Sequence, residues 1–421
     1  MFALRPLFVI WHRWFGLAAA IFLFISGATG ALISWDHELD AALNPTLFHA
    51  NTSGPALSGT ELANRVEQQD PRVRVTYLLT ADEPGQTSLM SVEGRIDPAT
   101  HHPYDIGFNQ VAVDPATAQI QGKRQWGEIS LSRENLIPFL YKLHYTMHLP
   151  DAGGIEIGIW LMGLIAMAWV LDCVIALWLS FPSWKGWRKS FAFRWAAGGH
   201  KITFDLHRSG AVWVWLLLLL LAITSVSMNL TTQVVRPLVA QFSTLSPSAF
   251  DTIAPRPPDK PIEPLLTREQ AVTLARREAA KRGWTEPAGG LFYAPAFGLY
   301  GVGFFAPGND HGDVGLGNNW LYFDGRTGKP AGGSFPGTGS AGDIFLQAQF
   351  PLHSGRILGL AGRIMISCMG ALVAMLSVTG VLIWIRKRKA RLAARTPAPV
   401  KPEVKTTPVP GLATARQLQK R

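Results

Sequence analysis

The histidines are the residues whose placement most suggests chemistry. His12, in Trp11-His12-Arg13-Trp14-Phe15-Gly16, opens a long apolar run, and His207, in Asp205-Leu206-His207-Arg208-Ser209-Gly210, opens another. His353, in Pro351-Leu352-His353-Ser354-Gly355, opens a third, and Leu143-His144-Tyr145-Thr146-Met147-His148 precedes a fourth. One histidine at a membrane boundary is an ordinary interfacial residue. Four at the mouths of four apolar runs form a pattern, and imidazole is the commonest metal-ligating side chain.

The elements that must position them are the apolar runs themselves. Crossing a hydrocarbon core of about 30 Å takes roughly 20 helical residues. Four segments meet that length, at 1–35, 153–181, 207–230 and 356–386. The first opens on Trp-His-Arg-Trp and outruns the apolar core of a signal peptide, so it reads as a retained helix. Between the spans lie two long polar segments, 36–152 and 231–355, and a short basic loop, 182–206. The basic tail, 387–421, is rich in Pro, Lys and Thr and reads as disordered.

A net charge of +10 over 421 residues invites a nucleic-acid partner. The distribution argues against one. The two long segments hold 25 acids against 18 bases, whereas the short loop and the region after the last span are strongly basic. This is the positive-inside pattern, which predicts cytoplasmic termini and puts both long segments outside. The two cysteines, Cys173 and Cys368, fall inside spans, so the outer segments have no disulfide framework.

Each outer segment reads as one helix plus a small antiparallel sheet. The first has a helix over Gly59–Gln69 and strands near Val73–Leu79, Thr87–Val92, Val111–Asp114 and Gln119–Gly122. The second has a helix over Leu266–Gly283, with Thr267 and Gln270 spaced as a capping box, then strands at Gly290–Tyr293, Tyr300–Phe305 and Asn319–Phe323. Asp114-Pro115-Ala116-Thr117 and Asp324-Gly325-Arg326-Thr327 are matching turns. The chain is therefore a weak internal repeat of span, α+β module, span. The small-residue run Ser26-Gly27-Ala28-Thr29-Gly30-Ala31 lets a helix or a flat ligand approach closely. Asp172 and Arg363 are intramembrane charges that need a partner or a cavity.

Topology puts His12 and His207 at one membrane face and His353 with His144 or His148 at the other. Two imidazoles from two helices are how a bundle holds a b-type haem without covalent attachment. That predicts two bis-His haems, suited to electron transfer. Zinc would need about four ligands close together, and each face offers two. His144 and His148, four apart, share a helix face, so either could ligate. Arg13, Arg208 and Arg363 are candidate partners for haem carboxylates. No Gly-x-Gly-x-x-Gly opens a helix after a strand, so the donor would be a separate protein or a quinol.

These motifs resemble the PepSY-associated transmembrane family, iron-regulated inner-membrane proteins of Gram-negative bacteria. The resemblance rests on His12-Arg13-Trp14-Phe15-Gly16-Leu17 with Thr29-Gly30, Leu143-His144-Tyr145-Thr146-Met147-His148-Leu149 and Leu171-Asp172-Cys173. It continues through Phe204-Asp205-Leu206-His207-Arg208, Phe350-Pro351-Leu352-His353-Ser354-Gly355, Gly362-Arg363 and Thr379-Gly380 with Trp384. It implies four transmembrane helices, two PepSY-like periplasmic α+β domains, two b-type haems and reduction of a ferric siderophore. It favours His144 over His148 as ligand, whereas His148 lies nearer the apolar run. Two other readings stand beside the electron conduit: a non-enzymatic membrane-anchored binding or regulatory protein, and a siderophore or haem transport component.

Overall fold

The structure is a computed structural model describing residues 4–394. Its first half runs α1 (Leu4–Ile33), α2 (Asp36–Leu43), α3 (Pro45–Phe48), α4 (Gly59–Gln69), β1 (Val73–Leu79), β2 (Ser88–Gly94), β3 (Gln110–Val113), β4 (Ile120–Arg124), α5 (Leu136–Thr146) and α6 (Ile157–Ser180). The second half runs α7 (Gly199–Trp213), α8 (Trp215–Leu230), α9 (Arg236–Val239), α10 (Ala249–Thr252), α11 (Arg268–Lys281), β5 (Ala288–Ala294), β6 (Leu299–Phe304), β7 (Asn319–Asp324), β8 (Pro330–Ser334), α12 (Ala341–Ser354) and α13 (Gly359–Ala393). Four helical stretches are long and apolar enough to cross a membrane: Leu4–Ile33, Ile157–Ser180, Trp215–Val239 and Arg356–Ala393.

The two long polar segments do not fold around separate sheets. They build one eight-stranded sheet in the order β4-β3-β2-β1-β5-β6-β7-β8. The seam is antiparallel, pairing Tyr77 with Phe292, Leu78 with Leu291 and Leu79 with Gly290. Each four-stranded half would otherwise expose β1 or β5 as an open edge, and pairing them satisfies both. One core runs under both halves: Leu62 and Val66 of α4 and Val272 and Ala275 of α11 pack with Val73, Leu78, Leu291 and Val302. Burying each such leucine or valine side chain contributes roughly 1.5–3 kcal/mol. Helix α4 is capped by Ser58, and α11 carries the Thr267–Gln270 capping box expected from sequence. The matched turns work as read: Asp114 accepts from the amides of Ala116 and Thr117, and Asp324 from those of Arg326 and Thr327.

Exchanging the halves leaves the pairing unchanged. The sheet order is symmetric about its β1–β5 seam, and α1 packs on α13 as α8 packs on α6. That is the relation of parallel repeats about a pseudo-two-fold axis.

Three boundaries differ from the sequence reading. Helix α7 begins at Gly199 and breaks at Val214 (φ −115°, ψ 18°), so His207 lies within a helix that precedes the apolar α8. His353 sits near the end of α12, a helix of its own. Gly355 ends it at φ 76°, a left-handed conformation that glycine adopts freely, and Arg356–Leu358 then leads into α13. Residues 387–393, read as the start of a disordered tail, continue α13; the remainder of that tail, from 395, lies outside the described residues.

Two ion pairs tie the sheet to the bundle. Buried Asp40 of α2 meets buried Arg124 of β4 at 2.7 Å. Arg356, just after α12, meets Asp313 of the β6–β7 loop at 2.9 Å, and its carbonyl accepts from the Val314 amide.

Candidate functional site

Helix packing gathers four histidines into two pairs. His12 of α1 faces His207 of α7 with ring centroids 6.1 Å apart. His144 of α5 faces His353 of α12 at the same 6.1 Å. The first pair lies at the end of α1 near the basic segments, and the second at the end that leads into the sheet. On α1, His12 and Thr29, which touches His144, are 17 residues apart, about 25 Å of helix.

Each ring is gripped at Nδ1 by a different membrane helix. Thr29 of α1 lies 3.1 Å from His144, Thr224 of α8 lies 2.9 Å from His353, and Thr379 of α13 lies 3.2 Å from His207. Asp172 of α6 places both carboxylate oxygens 3.0 Å from His12. The threonines fix the proton's position. Each spends its only hydroxyl hydrogen on the carbonyl four residues back, at Ile25, Leu220 and Met375. Its oxygen is then an acceptor, so the imidazole donates from Nδ1. His207 Nδ1 also faces the Leu376 carbonyl, an acceptor only, at 3.0 Å. For His12 the acceptor is a carboxylate. This accounting assigns Nδ1–H to all four rings and leaves the lone pair on Nε2.

The spacing admits one metal between each pair. A metal–imidazole bond is about 2 Å, and the bonded nitrogen lies about 1 Å from the ring centre, so collinear coordination needs centroids about 6 Å apart. Among the described residues no group of three or more His, Cys, Asp or Glu side chains gathers to hold a bare ion. Two opposed imidazoles suit a metal whose remaining positions are filled by a flat macrocycle.

Glycines make room for two rings. A Cβ at Gly30 would lie 2.9 Å from His144 Cε1, and one at Gly380 would lie 3.1 Å from His207 Cε1. Within the small-residue run, Gly27 has the other use: a Cβ there would lie 2.6 Å from the Gly370 carbonyl, so α1 and α13 cross with backbones nearly touching.

His148 stands apart. Met147 (φ 54°) and His148 (φ 52°) are both left-handed, so α5 ends between His144 and His148 and the two share no helix face. His148 stacks on Phe139 at 4.7 Å and pairs through Nε2 with the Phe139 carbonyl at 2.9 Å.

The arginines divide by site. Beside the His12–His207 pair, Arg13 and Arg208 each keep a buried Nε with no hydrogen-bond partner among the described residues. Arg208 otherwise donates to the Lys189 carbonyl, and Arg13 lies over Trp14. Arg363, expected as a third carboxylate partner, is committed elsewhere. It donates to the Ser34 carbonyl and to Glu38 at 2.8 Å, and it lies over Trp35. Asp205, in the motif around His207, is fully buried and held by Arg194 through three hydrogen bonds, two from the guanidinium at 2.7 and 2.8 Å and one from the backbone amide at 3.0 Å.

Sequence reasoning found all four paired histidines, named Thr29, Thr379 and Asp172 without tying them to a ring, and missed Thr224. A signal was present. Thr29 follows His12 by 17 positions, and Thr224 follows His207 by the same 17.

A family model described as PepSY-associated TM region matches residues 9–387. No curated protein matches the chain.

Proposed function

The chain belongs to the PepSY-associated TM family, and we propose that it is a di-haem membrane electron carrier that reduces a ferric chelate of the siderophore class. The observation that supports this reading is the set of contacts at Nδ1, from which the tautomer follows. Four histidines, in two pairs with centroids 6.1 Å apart, each have Nδ1 engaged by an acceptor and Nε2 left as a ligand. Second-shell acceptors of this kind orient metal-ligating imidazoles.

His12 with His207, and His144 with His353, would each hold one b-type haem. Bound there, haem would supply a one-electron carrier, which suits electron transfer. Arg13 and Arg208, with unpartnered Nε atoms, would bind the carboxylates of the haem between His12 and His207. Thr29, Thr224, Thr379 and Asp172 hold the four rings in place. Gly30 and Gly380 keep the space beside His144 and His207 clear.

In this reading the basic end is cytoplasmic in the inner membrane and the sheet is periplasmic, as the positive-inside pattern expects. The donor is a quinol or a separate protein. The chelate meets the sheet-end site, and its iron is released because Fe(II) binds hard oxygen donors less tightly than Fe(III).

Purified protein tests the reading directly. The expected result is a red protein whose reduced-minus-oxidised spectrum has b-type bands at about two haems per chain. A colourless protein that stays colourless after incubation with hemin would defeat it.

A further inference from the structure

We infer that Asp172, a positioning residue, gives the site between His12 and His207 the lower of two reduction potentials. The inference rests on the haem reading above and deepens it.

The observation is an asymmetry inside a symmetric frame. His144 and His353 each give their Nδ1 proton to a threonine hydroxyl, and His207 gives its own to the Leu376 carbonyl and the Thr379 hydroxyl, all neutral acceptors. The fourth, His12, gives it to a carboxylate whose two oxygens are both 3.0 Å away. Exchanging the halves carries α6 onto α13 and His12 onto His207, so Asp172 stands where the other half has Thr379. Among the described residues no other carboxylate is bonded to any of the four rings.

The position makes the charge effective. Asp172 is 7% exposed on an apolar helix, where solvent screens little. A carboxylate accepts more strongly than a hydroxyl, so His12 becomes a stronger donor through Nε2. A stronger donor favours the oxidised, more positive metal and lowers its potential. Arg13 and Arg208 would act in the opposite sense, but neither bonds a ring, and the haem carboxylates they would bind would offset them. At the sheet end both acceptors are neutral hydroxyls, while Arg356 and Arg363 are paired with Asp313 and Glu38. An electron shared between the two sites then resides at the sheet end.

Optical redox titration of the purified protein beside Asp172→Asn and Asp172→Glu tests this. Wild type is expected to titrate in two waves. Asp172→Asn keeps an acceptor and loses the charge. It is expected to raise the lower wave by about tenfold in equilibrium constant, the usual size of an outer-shell effect, which is about 59 mV for one electron. The upper wave stays in place, and Asp172→Glu stays near wild type. An unmoved lower wave in Asp172→Asn, equal shifts in both variants, or a shift confined to the upper wave overturns the inference. Should Asp172→Asn lose one haem, retention at the native potential in Asp172→Glu supports the role of charge, and loss in both overturns it. Wild type that binds no haem defeats the electron-transfer reading itself, and this inference with it, a result distinct from any pattern of shifts.

Discussion

Thr224 Oγ1 lies 2.9 Å from His353 Nδ1, and Thr29 Oγ1 makes the matching contact with His144 at 3.1 Å. Each threonine sits on the first membrane helix of its half, and each grips the histidine at the far end of that half's sheet segment. The site at the sheet end is thus closed by contacts within each half, whereas the pairing of His144 with His353 joins the halves. The seam between β1 and β5 joins them a second time. Sheet and site share one pseudo-symmetry.

Removing a ring should remove one haem of the two. His207→Ala is expected to leave about one haem per chain, held by His144 and His353, and His353→Ala to leave the one held by His12 and His207. His148→Ala should leave both, because His148 bonds the Phe139 carbonyl through Nε2 and stacks on the Phe139 ring. Haem quantification on purified variants checks all three. Two haems retained in both alanine variants of the paired histidines would reject the ligand assignment.

Thr29→Val and Thr224→Val keep shape and delete the acceptor. Each leaves an imidazole N–H without its partner, and outer-shell losses of this kind weaken metal binding by about 10–100-fold. Haem at the sheet end should be lost faster to an apo-globin trap in both variants, with the other haem unaffected. Equal loss from both sites would mean that the threonines support the bundle as a whole.

What could be read in the sequence followed from local pattern. The helix over Gly59–Gln69 and the strand over Val73–Leu79 match to the residue, because Ser58 caps the first and β-branched alternation marks the second. The four paired histidines stood out because a polar ring at the mouth of an apolar run is costly to place by chance. The β1–β5 seam was not legible: it joins strands some 210 positions apart, Tyr77 and Phe292 among them, and no local pattern records that register. Nor was the end of α5, since Met147 and His148 are ordinary residues held left-handed by their surroundings. Strand β8 was missed because Pro330-Ala331-Gly332-Gly333-Ser334 has almost no strand propensity and is held in place by pairing with β7. Asp172 was noticed as a charge, but its partner on α1 is 160 positions away.

The sheet should become less stable as pH rises through the weakly acidic range. Desolvation pushes the half-buried Asp82 carboxyl up to about 6, from 3.8. A carboxyl whose folded pKa is raised binds its proton more tightly in the folded chain. Its contribution is therefore present below about pH 4 and is lost as pH climbs to about 6. Asp82→Asn should flatten that slope and raise the melting temperature at pH 7 and above. Thermal unfolding in detergent across pH 4 to 8 checks it, and an unchanged slope would show that other groups set it.

Because the two long polar segments share one sheet and one core, damage to one should be felt in the other. Leu291 of β5 is 1% exposed and pairs across the seam with Leu78, also 1% exposed. Leu291→Ala removes packing beneath both strands and should cost about 2–5 kcal/mol. Arg268 of α11 makes a second cross-link, bonding Glu67 of α4 and the Val75 carbonyl of β1. Hydrogen exchange read by mass spectrometry separates the alternatives. In Leu291→Ala, peptides covering β1 and β2 should lose protection together with those covering β5 and β6, although the substitution lies in the second half alone. Loss confined to β5–β8 would mean that the halves fold as independent modules and meet only at their edges.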